Sequence, residues 1–105
     1  MKEPRLSPGD IVRHFKRELV PQGSMEYLYR IVEFARHSET GEPYVVYESL
    51  YGEGDVYLRP FDMFMSEVDR NKYPGIRQRW RFEKASPDEI ALVTDGPEGK
   101  ISNAH

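Results

Sequence analysis

The sequence predicts a small, mainly β domain: a curled antiparallel sheet, or a partly open SH3-like barrel, with one short helix and a possible short helix near the C-terminus. Three observations predict it. Short runs rich in β-branched and aromatic residues recur between tight-turn signals. One segment, Phe61–Val68, changes to helical spacing. Ser86-Pro87-Asp88-Glu89 then carries the spacing of a capping box.

Taken in order, Pro8-Gly9-Asp10 is a turn and Ile11–Phe15 a short strand. Lys16–Ser24 contains Pro21, Gln22 and Gly23 and reads as a loop. Tyr27–His37 is the longest strand, with Leu28, Val32 and Phe34 on one face and Tyr27, Tyr29, Ile31 and Ala35 on the other. Apolar residues on both faces suit a strand in a tightly curled sheet. Thr40-Gly41 marks a hairpin, after which Tyr44–Tyr51 pairs back. Gly52-Glu53-Gly54 makes the next turn and Val56–Arg59 a short strand. Pro60 stands where a helix accepts proline. Phe61, Phe64, Met65 and Val68 then form an apolar stripe, expected to pack near Val46 and Trp80. Asn71–Gly75 is a loop. Gln78–Lys84 is a last strand, its alternation placing Arg77, Arg79 and Arg81 on one face. A final helix runs from Ser86 to Val93 and stops at Asp95-Gly96. Residues 1–96 are read as one domain and Pro97–His105 as a frayed tail.

The 105 residues suffice for one hydrophobic core. The chain has no cysteine, which excludes disulfides and thiolate metal sites. Met1-Lys2-Glu3-Pro4 leads into no apolar run, so neither a signal peptide nor a membrane span is expected, and a cytoplasmic setting is. The net charge of −3 is segregated along the chain. Residues 39–69 carry eight acids against Arg59, whereas residues 70–84 carry six bases against Glu83. Oppositely charged elements are expected to lie against each other.

The motifs are Val12-Arg13-His14-Phe15-Lys16, Ala35-Arg36-His37-Ser38-Glu39-Thr40, Val45-Val46-Tyr47, Leu50-Tyr51-Gly52, Tyr57-Leu58-Arg59-Pro60, Met63-Phe64 and Arg81-Phe82-Glu83. Together they resemble a bacterial family, domain of unknown function 1653, over about residues 9 to 83. The resemblance implies no activity, because the family has none assigned. The chain departs from its pattern in a longer loop at Arg17–Met25, in Tyr57 where tryptophan is usual, and in the tail after Lys84.

Arg36-His37-Ser38-Glu39-Thr40 holds a base, a hydroxyl and a carboxylate. Neighbouring residues on a strand end point to opposite sides, so one backbone cannot build a triad from them. No catalytic residue, cofactor or metal is assigned. His14, His37 and Glu39 are the one set of metal-ligating types, without cysteine and scattered in sequence. Ser38, Glu39 and Thr40 also suit turn capping. The first reading is a non-catalytic module that binds a peptide, a protein partner or an anionic small ligand through Arg36, His37, Ser38, Glu39, Tyr47 and Arg59. Arg36, His37, Tyr47 and Arg59 are expected on one side of the sheet, with at least one guanidinium left to an anion. The free N–H groups of the helix after Arg59 are expected to help. One alternative is single-stranded nucleic-acid binding by Arg77, Arg79, Arg81 and Trp80. Another is a small enzyme, or an accessory domain, with His37 as general base and Arg36 or Arg59 holding an anionic substrate. No membrane partner is expected.

Overall fold

Alternating apolar residues build a single antiparallel sheet of five strands. The computed structural model describes residues 4–95. The strands are β1 (Ile11–His14), β2 (Leu28–Arg36), β3 (Pro43–Ser49), β4 (Val56–Pro60) and β5 (Phe82–Lys84), in the order β4-β3-β2-β1-β5. The sheet does not close, so β4 and β5 remain its edges. Two helices complete the fold, α1 (Phe61–Phe64) and α2 (Pro87–Asp95), with a 3-10 turn at Phe15–Leu19. No helix among the described residues is long and apolar enough to cross a membrane.

One face of the sheet carries the core. Val12, Tyr29, Ile31, Val45, Tyr47 and Phe82 are buried there with Leu6 and Phe64. The expected alternation in β2 fails at Val32. A bulge between Ile31 and Glu33 shifts the register, so Phe34 follows Tyr29 and Ile31 inward and Val32 turns to solvent. In β3, Val45 and Tyr47 face the core. Val46 therefore belongs to the outer face, opposite Leu58 of β4.

The Phe61–Val68 stripe is buried as expected, but by a shorter helix. Phe64 and Val68 are buried, and Phe61 and Met65 pack against the core. Regular helix ends at Phe64, where Met65 N–H donates to Phe61 O, and the Ser66 hydroxyl donates to Met63 O. The neighbours of Phe64 are Phe82, stacked at 4.0 Å between ring centroids, and Tyr47 at 5.0 Å, rather than Val46 and Trp80.

The last strand is also shorter than its alternation suggests. Only Phe82–Lys84 pairs with β1, and Trp80 makes an isolated bridge to Glu67. Side chains satisfy much of the backbone before it. The Glu18 carboxylate accepts from Arg77 and Gln78 N–H, and Glu83 accepts from Arg79 and Trp80 N–H. Gln78 is buried, its amide donating to Arg13 O and Trp80 O.

The capping box that starts α2 forms in both directions. Ser86 N–H donates to Glu89 Oε1 at 2.8 Å, and Glu89 N–H to Ser86 Oγ at 3.2 Å. The other Glu89 oxygen joins Arg17 and Arg13, which fastens α2 to β1 and the 3-10 turn. Burial opposes ionisation of Glu89. The Ser86 N–H and the two guanidiniums outweigh it and hold the carboxyl below the usual carboxylate range. Arg79–Glu67 and Arg30–Glu48 likewise join bases to acids distant in sequence. Gly96 and the tail Pro97–His105 lie outside the described residues.

Candidate functional site: an aromatic margin with two arginines

Cross-strand register decides which site residues can meet. Arg36 opposes Pro43 of β3, and Arg59 opposes Val45. Pro43, Val45 and Tyr47 alternate onto one face, so Arg36, Tyr47 and Arg59 share it. The side chains then divide. Arg59 Nε donates to Tyr47 Oη at 3.1 Å, and its Nη1 lies 3.5 Å from Met63 Sδ. Arg36 instead folds over the hairpin, with Nη1 donating to Gly41 O at 2.9 Å. Among the described residues neither guanidinium reaches a carboxylate within 4.0 Å.

His37, Ser38 and Glu39 lie exposed at the tip of that hairpin. His37 Nδ1 accepts from the N–H groups of Glu39 and Thr40, at 3.1 and 3.2 Å. Thr40 Oγ1 accepts from Glu42 N–H. Turn capping thus falls to His37 and Thr40, where Ser38, Glu39 and Thr40 were candidates. Gly41, at φ 76°, supplies the left-handed residue that the turn needs. The ring neighbour of His37 is Tyr44, at 6.4 Å. The structure joins Tyr47 to Arg59 and leaves the Arg36–Glu39 group on its own.

Around Arg59 the strands assemble residues from distant parts of the chain. Phe82 is the hub. Its ring lies 5.5 Å from Tyr47, 5.7 Å from Tyr29 and 5.1 Å from His14, and the Arg59 guanidinium carbon is 5.9 Å from it. Tyr57 flanks Tyr47 at 5.6 Å and is 41 % exposed. Tyr51 shares a 2.8 Å hydroxyl contact with Tyr29, and its ring lies 6.0 Å from Tyr27. Burial, helped by that hydroxyl contact, pushes the Tyr29 phenol strongly up, so it stays neutral. Tyr27 holds a left-handed φ of 67°, uncommon for a bulky residue and worth about 1–3 kcal/mol of strain. Its carbonyl accepts from His14 N–H at 3.0 Å and its ring sits 5.8 Å from the imidazole.

His14 is buried and, like His37, uses Nδ1 as a cap, accepting from Lys16 N–H at 3.1 Å. Desolvation, then the charges of Arg81, Arg59 and Lys16, lower its pKa to about 3. The Arg81 guanidinium is itself shifted down, by burial and then by Arg59. A neutral imidazole thus sits among several cations. Sequence spacing could not show this, because His14, Arg59 and Arg81 come from three strands or strand ends. The quoted motifs were the available signal: His14, Tyr47, Tyr51, Tyr57, Arg59, Arg81 and Phe82 all belong to them. A profile of proteins of unknown function, DUF1653, matches residues 10–84. The chain belongs to the DUF1653 family. Comparison with curated proteins and with solved structures gives no match.

Elsewhere among the described residues, several charged side chains answer one another, while Arg13 Nε is buried without a partner. A cavity of about 580 Å³ beside α2 is lined by Arg13, Arg17, Arg77, Glu18, Asp88 and Glu89 among others. Its charges largely answer one another: Glu89 takes Arg13 and Arg17, and Glu18 takes two backbone N–H groups. Arg77, Arg79 and Arg81 do not form one row. Arg77 lines that cavity, Arg79 lies 4.7 Å over Trp80 and meets Glu67, and Arg81 Nε donates to Ser66 Oγ. Arg5 also lies over Trp80, at 4.3 Å. Among the described residues no three His, Asp or Glu side chains group as a metal site.

Proposed function

We propose that this DUF1653 domain is a non-catalytic binding module whose ligand is anionic and is held at the aromatic margin around Arg59. One observation carries the reading: Arg59 is oriented by a neutral partner, Tyr47 Oη, and no carboxylate among the described residues neutralises it. The chain carries eighteen acids, and among the described residues none of them lies within 4.0 Å of the Arg59 guanidinium, which is left to the aromatic rings around it. Arg81 adds positive charge nearby. The helix after Arg59, α1, is a single turn of four residues, too short to supply the free N–H groups expected of it. A small anion suits the margin better than a nucleic-acid strand: two guanidiniums already occupy the Trp80 ring on which a base would stack. The enzyme reading loses support because His37 spends Nδ1 on its own turn, away from Tyr47 and Arg59. A cytoplasmic setting fits a chain without cysteine.

The test is calorimetric titration with inorganic phosphate at low salt, on the parent protein and on Arg59→Gln. Saturable binding that weakens with added salt and falls about tenfold or more in Arg59→Gln is expected, the loss of a charge-assisted contact. Equal binding by both proteins would remove Arg59 from the site.

A further inference from the structure

The aromatic margin contains a donor that charge alone does not reveal. His14 Nδ1 accepts the Lys16 N–H, so it carries no proton. In the neutral ring the proton is on Nε2. That N–H meets no acceptor among the described residues. It is not sealed in either: Arg13 Nε is the one fully buried side-chain nitrogen or oxygen left without a partner among them. The residue itself is nine-tenths buried. Such a group is costly to leave unpaired, and water or a ligand must meet it.

Its surroundings specify the acceptor. His14 and Arg59 approach the same Phe82 ring. Arg81 directly precedes Phe82, and its carbonyl accepts from Phe15 N–H, so its backbone is tied beside His14. An anion touching both His14 Nε2 and Arg59 would also feel Arg81 and Lys16. A neutral N–H beside guanidiniums suits an oxyanion with several acceptor oxygens, because donors of both kinds can be filled at once. Beside it stand three tyrosine rings, none of them fully buried. Tyr57 is half open, Tyr51 is partly buried, and Tyr27 is held at its strained φ with its ring toward His14 and Tyr51. Aromatic faces next to an oxyanion seat are the pairing that nucleotides fill, base on ring and phosphate on cation.

Resting on the anion-binding reading above, we infer that the site takes a phosphate ester bearing a planar ring, with His14 Nε2–H and Arg59 on the phosphate and Tyr57 under the ring. The ligand class is a free nucleoside monophosphate.

The experiment is an NMR titration of the whole chain, uniformly labelled with nitrogen-15 and read at the histidine ring nitrogens and at Arg59, by a nucleoside 5′-monophosphate, by its parent nucleoside and by inorganic phosphate. On the unaltered protein, the monophosphate should move the His14 Nε2 resonance saturably and bind at least about tenfold more tightly than either fragment, the worth of one added contact of about 1.4 kcal/mol. His14→Phe, which keeps an aromatic ring and loses the N–H, should weaken the monophosphate about tenfold. His14→Gln, which keeps a donor, should weaken it less. Saturable shifts at Arg59 with His14 Nε2 unmoved would overturn the role of His14 and leave anion binding standing. A monophosphate no tighter than inorganic phosphate would overturn the ring contact. No shift at Arg59 with any of the three would overturn the anion-binding reading itself.

Discussion

His14 and His37 perform the same local task in two contrasting regions. Each accepts backbone N–H bonds through Nδ1, from Lys16 in one case and from Glu39 and Thr40 in the other. His37 does so on an exposed hairpin tip, where its partners come from within three residues. His14 does so against Phe82, Tyr27 and Phe15, with cations from distant segments around it. The two arginines divide likewise: Arg36 serves its own hairpin carbonyl, and Arg59 bridges to Tyr47 of the next strand. Local sequence makes a turn; only strand pairing gathers a site. The hairpin and the aromatic margin should therefore respond differently to substitution.

The largest difference concerns stability. Phe64 is fully buried beneath the margin and stacks on Phe82. Phe64→Ala should cost about 3–5 kcal/mol in a denaturant melt, much of the stability of such a domain. A cost near zero would show that α1 is not part of the core.

Acid separates the regions next. The His14 pKa is about 3 in the fold and near 6.5 in an unfolded chain. Between those values the unfolded chain binds a proton that the native protein refuses. Stability from this group is therefore complete above about pH 6.5 and is lost as the pH falls toward 3, at no more than about 1.4 kcal/mol per pH unit. Glu89, shifted below the usual carboxylate range, gives way only at lower pH. Melts from about pH 7 to 5 isolate the histidine. His14→Phe should flatten the slope there; an unchanged slope would mean that another group carries it.

The hairpin should yield smaller effects. Gly41→Ala places a side chain at φ 76° and should cost about 1 kcal/mol. His37→Ala removes one capping acceptor and should cost about 0.5–2 kcal/mol, by analogy with helix caps. Both variants should bind phosphate as the parent does. Weakened binding in His37→Ala would bring the hairpin back into the site.

Much of the fold was legible because turns and alternation are local. Gly41, Gly52 and Gly54 take positive φ where the turns were read, and the Ser86–Glu89 box starts α2. The misreadings have non-local causes. The bulge at Val32 reverses a face without a marker in composition. Gln78–Arg81 alternates like a strand, yet Glu18 and Glu83 take its N–H groups. Of the site, Tyr47 and Arg59 were read together. Outside the motifs, His14 stands in the sequence only as a metal-ligating type and Arg81 only in a basic row, because nothing along the chain says that both approach Phe82. Glu89 was read as a cap, while its grip on Arg13 and Arg17 depends on how α2 docks.

The central claim is that the aromatic margin, and not the hairpin, is the anion site. A backbone amide NMR map of the parent protein during a phosphate titration at low salt tests it most directly. Saturable shifts clustered at Tyr47, Tyr57, Arg59 and Phe82, with Arg36–Gly41 unmoved, are the predicted result. Saturable shifts confined to Arg36–Gly41, or no saturable shifts anywhere, would contradict it.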